Sequence, residues 1–274
     1  MTQSFDFIQV EREGHVSTIT IRRPEVLNAL HPPACLEMCT ALDDFESDPE
    51  SWVAILTGEG DRSFCSGDDL GWTATHGREA QVAAFRDLLP RGGFGGMTHR
   101  ITRKPMIAAL NGTAVGGGLE IALNCDVMLA VEHAKLGLVE GRVGYIAAGG
   151  GVAWLVRKIP HNIAMGMILT GELIGATEAQ HWGLINEVVV KGDVLKAAKR
   201  WADKICKTAP LSHRAAKEIA HLGATNAPET LRPFPGLDNS EKRFPATMAA
   251  MCSEDAMEGP LAFMQKRSPV WKGR

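Results

Sequence analysis

Apolar and polar positions along this chain follow two periods in alternation. Residues 16–21 (VSTITI) and 52–58 (WVAILTG) are short runs rich in β-branched and apolar residues, which predict strands, while the stretch after Pro32 and Pro33 has helical spacing. Pro105 opens another strand-like run, MIAAL, after which LEIALNC predicts a short buried helix and DVMLAVE a further strand. Three helical patterns follow, VAWLVRKI, NIAMGMIL and TEAQHWGL, then a strand at 185–190 (INEVVV) and a helix, VLKAAKRWADKICK, capped by Asp193.

Repeated alternation of strand and helix predicts an α/β core over residues 1–207. From 208 to 274 no strand pattern recurs, and Pro228, Pro233, Pro235 and Pro245 interrupt what is otherwise a helical region. Residues 72–98 are less regular, with Gly92, Gly93, Gly95 and Gly96 around Phe94, and read as a mobile or ligand-covering segment.

Composition narrows the class without naming a function. The 274 residues are 45% hydrophobic and 22% charged, as in an ordinary globular protein, and no apolar run is long enough for a membrane span. Twenty-nine basic against thirty-two acidic side chains give a net charge of −3, which supplies no field for nucleic acid. The six cysteines form no CxxC pair, and the N-terminus lacks the basic start and apolar run of a signal peptide, so reduced thiols and a cytoplasmic location are expected.

Candidate chemistry concentrates between Lys104 and Gly151. Glu120 follows Gly116, Gly117 and Gly118, and Glu140 precedes a second glycine run, Gly149 to Gly151. Glycine lets backbone N–H groups approach a ligand closely, and paired carboxylates can move protons at that ligand. Taken singly, Glu120 suits a helix N-terminus and Glu140 a surface loop, but both stand among apolar residues, where a carboxylate needs a partner or a function. RSFCSGDDL at 62–70 ends in Ser66 and Gly67, a second place for an exposed N–H. Asp68 and Asp69 have no nearby histidine, and the nine histidines show no HxxxH spacing, so a metal site is not expected.

Together FCSGDD, KPMIAALNG, GGGLE and LGLVE with its following glycines resemble the crotonase superfamily, a likeness running from RRPEVLNAL to LTGELIGATEAQHWGLINEVV. The resemblance implies a spiral of ββα turns, a helical C-terminal trimerisation region, and an acyl-CoA substrate handled by a homotrimer or dimer of trimers. Coenzyme A would enter as part of the substrate, with no separate cofactor. By the same resemblance Ser66 and Gly117 supply oxyanion N–H groups, Glu120 activates water and Glu140 protonates the α-carbon. Gly67, Asp68, Asp69 and Leu70 would belong to the thioester pocket, while Val26, Leu27 and Arg62 would face CoA.

Two occupied glutamate positions favour hydration or dehydration over isomerisation, and the tail SEDAMEGPLAFMQKRSPVWKGR is similar to that of the carnitinyl-CoA dehydratase branch. A double-bond isomerase, another reaction of the superfamily, or a binding protein with weak catalysis remain the alternatives. Ala147 and Ala148 replace the proline and glycine usual in the family's hydratases, and Ala148 would offer its N–H to the catalytic water. Tyr145 and Trp154 are bulky for their positions. The tail's Lys266, Arg267, Lys272 and Arg274 carry charge of the kind a CoA phosphate takes, although such runs are more commonly solvated.

Overall fold

A computed structural model describes residues 5–223, 226, 231, 233 and 240–274. The chain divides into two compact units, one of Met1–Ile101 with Met106–Ala202 and the other of Thr102–Pro105 with Asp203–Arg274. The division therefore lies at Ala202, rather than after residue 207, and the short segment before β5 belongs to the second unit.

In the first unit, strands β1 (Ile8–Glu13), β2 (Val16–Ile21) and β3 (Val53–Gly58) lead to β4 (Ser63–Cys65), with helix α1 (Pro32–Ser47) between β2 and β3. Helices α2 (Leu70–His76) and α3 (Arg78–Leu88) precede β5 (Met106–Leu110), β6 (Thr113–Val115) and α4 (Gly117–Leu123). Then come β7 (Val127–Val131), β8 (Lys135–Gly137), α5 (Gly151–Lys158), α6 (His161–Thr170), β9 (Ile174–Gly175), α7 (Ala176–His181) and β10 (Glu187–Val189). Helix α8 (Val194–Cys206) carries the chain out of this unit.

From β3 to β8, consecutive strands alternate between two sheets. A six-stranded sheet has the order β1-β2-β3-β5-β7-β10, and a four-stranded sheet the order β4-β6-β8-β9. Each step from β3 to β4, β5 to β6 and β7 to β8 crosses from the first sheet to the second, which makes the ββα spiral of the crotonase fold. Apart from the antiparallel pairs β1–β2 and β8–β9, neighbours run parallel. Every residue of β3 and β5 is buried, as parallel strands covered on both faces must be.

Residues 72–98 depart from the sequence reading, because α2 and α3 occupy most of them. Asp69 starts α2 by accepting N–H bonds from Gly71 and Trp72, both at 3.1 Å. In α3, Gln81 and Leu88 are buried at helical spacing on an otherwise polar helix.

The second unit contains α9 (Pro210–Gly223), α10 (Ser240–Arg243), α11 (Pro245–Met251) and α12 (Glu254–Met264). Glu218 accepts the Ala246 and Thr247 N–H groups at the start of α11 (3.0 and 2.9 Å), and Asp255 accepts those of Lys272 and Gly273 (2.8 and 2.9 Å). Pro245 begins α11, whereas Pro228 and Pro235 lie outside the described residues. No helix among the described residues is long and apolar enough to cross a membrane, and all six cysteines are free thiols.

Candidate active site

A cavity of about 510 Å³ opens in the first unit, lined largely by apolar side chains. Its walls come from Ser66 to Asp68, from the α3 residues Gln81, Val82 and Phe85, and from Phe94, Val139, Val143, Tyr145 and Ile146. Glu120 and Glu140 both line it, together with Gly116, Gly117, Leu70, Ala148 and Gly149.

Glu120 projects from the short helix α4 and is only 6% exposed. Its Oε1 accepts the Gly151 N–H at 2.9 Å, in the second glycine run. Those glycines are required by distance, since a Cβ at Gly149 would stand 2.6 Å from Glu120 Oε2 and one at Gly151 would stand 2.9 Å from Cγ. Burial pushes the Glu120 carboxyl up to about 7; N–H bonds from Gly151 and Gly149 oppose the rise and the charge of Glu140 adds to it.

Glu140 opens a turn of 3-10 helix at Glu140–Val143. Burial raises its carboxyl as well, and its Oε2 is buried without a hydrogen-bond partner among the described residues. A Cβ at Gly116 would lie 3.2 Å from Glu140 Oε1, so this glycine makes room for the carboxylate. Burial shifts both carboxyls toward holding a proton, as suits groups that take and give protons at one cavity.

The backbone donors differ from the sequence expectation at one position. Ser66 N–H is committed to Leu27 O at 3.1 Å and its hydroxyl to Val26 O at 3.4 Å, so it is not a free oxyanion donor. Beyond it, Gly67 O accepts from Leu30 N–H (2.8 Å) and Asp69 N–H donates to Leu30 O (3.1 Å), forming a parallel bridge opposite Asp68. Alternation along extended backbone then turns the Asp68 N–H away from Leu30, and it has no acceptor among the described residues. Gly67, at φ +92°, brings this corner against α4, where a Cβ would approach Gly117 N to 3.0 Å. Gly117 N–H, in the first turn of α4, likewise has no acceptor among the described residues.

Residues 11–274 match the family model described as "Enoyl-CoA hydratase/isomerase". The chain belongs to the enoyl-CoA hydratase/isomerase family. It is 38% identical over 266 residues to an (E)-benzylidenesuccinyl-CoA hydratase of Thauera aromatica, covering 97% of this chain and 99% of that one. Identity is also 38% over 272 residues to a carnitinyl-CoA dehydratase of Shigella flexneri, covering 97% and 98%. The crystal structure of an enoyl-CoA hydratase from Mycobacterium tuberculosis H37Rv superposes with a TM-score of 0.86 at 33% identity, covering 98% of this chain and 99% of its own. Near-full-length likeness to such proteins places this family member among the acyl-CoA hydro-lyases.

Several positions expected to serve in this family member lie elsewhere or act differently. Val26 and Leu27 are exposed, Leu27 and Arg62 border a separate crevice of about 60 Å³, and Arg62 Nη2 donates to Pro24 O at 3.0 Å. None of the three lines the large cavity. Ala148 does line it, but its N–H donates to Ile146 O at 2.8 Å, so the water-side donor expected there is already committed. Asp69 braces the loop: besides capping α2 it pairs with Arg23 Nη1 at 2.9 Å, and its carboxyl is held low by Arg23 and the α2 N–H groups against burial. In the tail, Arg267 pairs with Glu258 while Lys272 and Arg274 pair with Glu254 (2.8 and 3.2 Å), leaving much of that positive charge neutralised. Gln81, Phe85 and Phe94 fall in the segment read from the sequence as mobile or ligand-covering, where only Phe94 is singled out; the spacing of Gln81, Phe85 and Leu88 in α3 is the signal that carries the other two.

Proposed function

We propose that the cavity binds an α,β-unsaturated acyl-CoA with its thioester oxygen between the N–H groups of Asp68 and Gly117, and that Glu120 and Glu140 add water across the double bond. As water oxygen bonds to the β-carbon, its proton passes to Glu120 and the π electrons move toward the thioester. The two N–H groups meet the resulting enolate charge, and one such donor is typically worth about 3 kcal/mol. Glu140 then delivers a proton to the α-carbon, and the proton held by Glu120 restores the pair for the next turn. Dehydration is the same path reversed.

The observation that carries this reading is the convergence of a buried Glu120, which feels the charge of Glu140, and a half-buried Glu140 on one cavity, with Glu140 Oε2 left unpartnered among the described residues. An isomerase needs one proton carrier, whereas a water molecule bridging two carboxyls uses both. In this reading coenzyme A is the substrate's handle and no metal or redox group takes part. A trimeric assembly in the cytoplasm belongs to the same proposal, supported by Met257, Phe263 and Met264 of α12, which are 74%, 83% and 78% exposed, and by the free thiols.

The test is to incubate the protein with crotonyl-CoA and, separately, crotonobetainyl-CoA in ¹⁸O-labelled water and analyse the thioesters by mass spectrometry. Label at the β-carbon is the expected result. Migration of the double bond in a 3-enoyl-CoA, with no label in either 2-enoyl substrate, would mark an isomerase instead.

A further inference from the structure

We infer that Asp68 selects among acyl-CoA substrates, favouring an acyl chain that carries a quaternary ammonium group. This deepens the proposed hydratase reading and rests on the same cavity. Adjacent aspartates in this loop have different surroundings. Asp69 is satisfied by Arg23 and by two N–H groups, whereas Asp68 meets the Gln81 side-chain amide, on Oδ2, and the neighbouring Asp69 N–H, but no cation among the described residues. The residue lines the cavity with its carboxylate uncompensated by any positive side chain among the described residues.

Gln81 is itself only 7% exposed and sits on α3, where its amide holds the Asp68 carboxylate in place. Burial and the neighbouring Asp69 push the Asp68 carboxyl up to about 6, as suits an anion whose counter-charge is lacking. Phe85 lies one helical turn beyond Gln81 on the same face of α3, and its ring meets Phe94 edge-on at 5.6 Å. Tyr145, on another wall, already takes a cation on its ring, with the Arg78 guanidinium 5.6 Å from the centroid. A carboxylate oxygen with aromatic walls around it suits a quaternary ammonium, which needs charge and π faces but has no hydrogen to donate. Arg86 and His99 also border the cavity, but both are exposed to solvent, so the buried wall is acidic.

Equilibrium binding of saturated thioesters separates this preference from turnover. Calorimetric titration would compare 4-trimethylammoniobutyryl-CoA, butyryl-CoA and glutaryl-CoA on the parent, on Asp68→Asn and on Gln81→Leu. The parent should bind the ammonium thioester about tenfold more tightly than butyryl-CoA, with glutaryl-CoA weakest. Asp68→Asn should bring the ammonium-to-butyryl ratio close to one, and Gln81→Leu should lower it; the second variant carries the test should the first fail to fold. A parent ratio near one, a preference for glutaryl-CoA, failure to bind any of the three, or a ratio unchanged in both variants would overturn the inference. Equal weakening toward all three thioesters would do so too, by showing that Asp68 meets the shared CoA arm. Hydration of crotonyl-CoA by the same parent sample keeps the two readings apart. Binding preference without hydration rejects the hydratase alone, and hydration without preference rejects this inference alone.

Discussion

Gly151 N–H donates to Glu120 Oε1 at 2.9 Å, fastening a carboxylate on α4 to the first residue of α5. The bond fixes which oxygen of Glu120 faces the cavity, and the neighbouring Gly149 leaves no space for that carboxylate to swing. Orientation of this kind is what distinguishes a working acid/base group from a merely buried acid.

Gly149→Ala is therefore expected to lower kcat for hydration by about 10²-fold, because its Cβ would displace Glu120 Oε2 from a 2.6 Å approach. Circular dichroism and stopped-flow kinetics on the same sample check this. Unchanged kcat in a folded variant would show that the placement of Glu120 is not critical.

Stability should depend on pH through Glu120. Its carboxyl titrates at about 7 in the fold against an ordinary 4.5, so the native state holds the extra proton between those values. Stability is undiminished below 4.5 and falls as pH rises toward 7, by about 3 kcal/mol from this group. Glu120→Gln should flatten that part of the urea-denaturation profile and make the protein more stable than the parent at pH 8. An identical pH profile would contradict the burial argument.

Asp69→Ala removes the α2 cap and leaves Arg23, which is largely buried, without its carboxylate. A loss of about 3 kcal/mol in unfolding free energy is expected, measured by chemical denaturation. Arg23→Met combined with Asp69→Ala should recover part of it.

Residue patterns carried the two glutamates, both glycine runs and five of the six strands of the larger sheet, because burial and close approach leave a mark on residue type, but none of the smaller sheet. Direction of a backbone N–H leaves none. Ser66 and Asp68 differ by two residues along extended backbone and point to the same side only where the strand is regular; the turn at Gly67 breaks that relation, and Leu27 takes the Ser66 donor. The two helices at 70–88 were obscured for a different reason: Gly71 and Gly77 punctuate them, and α3 has only a narrow buried stripe. Arg62 could be recognised as basic but not as held by Pro24 O, a contact between segments 38 residues apart.

Asp68→Pro tests the assigned donor without touching the neighbouring bridge, whose bonds use Gly67 O and Asp69 N–H. Losing that N–H should cost about 10²- to 10³-fold in kcat, with CoA-product binding retained. Wild-type kcat would move the oxyanion donor elsewhere.

The shared-water claim is tested most directly by crotonyl-CoA hydration, followed at the conjugated-thioester absorbance, for the parent, Glu120→Gln, Glu140→Gln and the double variant. Each single change should lower kcat by about 10²- to 10⁴-fold, and the double should lose little more than the worse single, since both carboxyls act on one water. Rates in the variants equal to the parent's, or losses that multiply fully in the double variant, would contradict it.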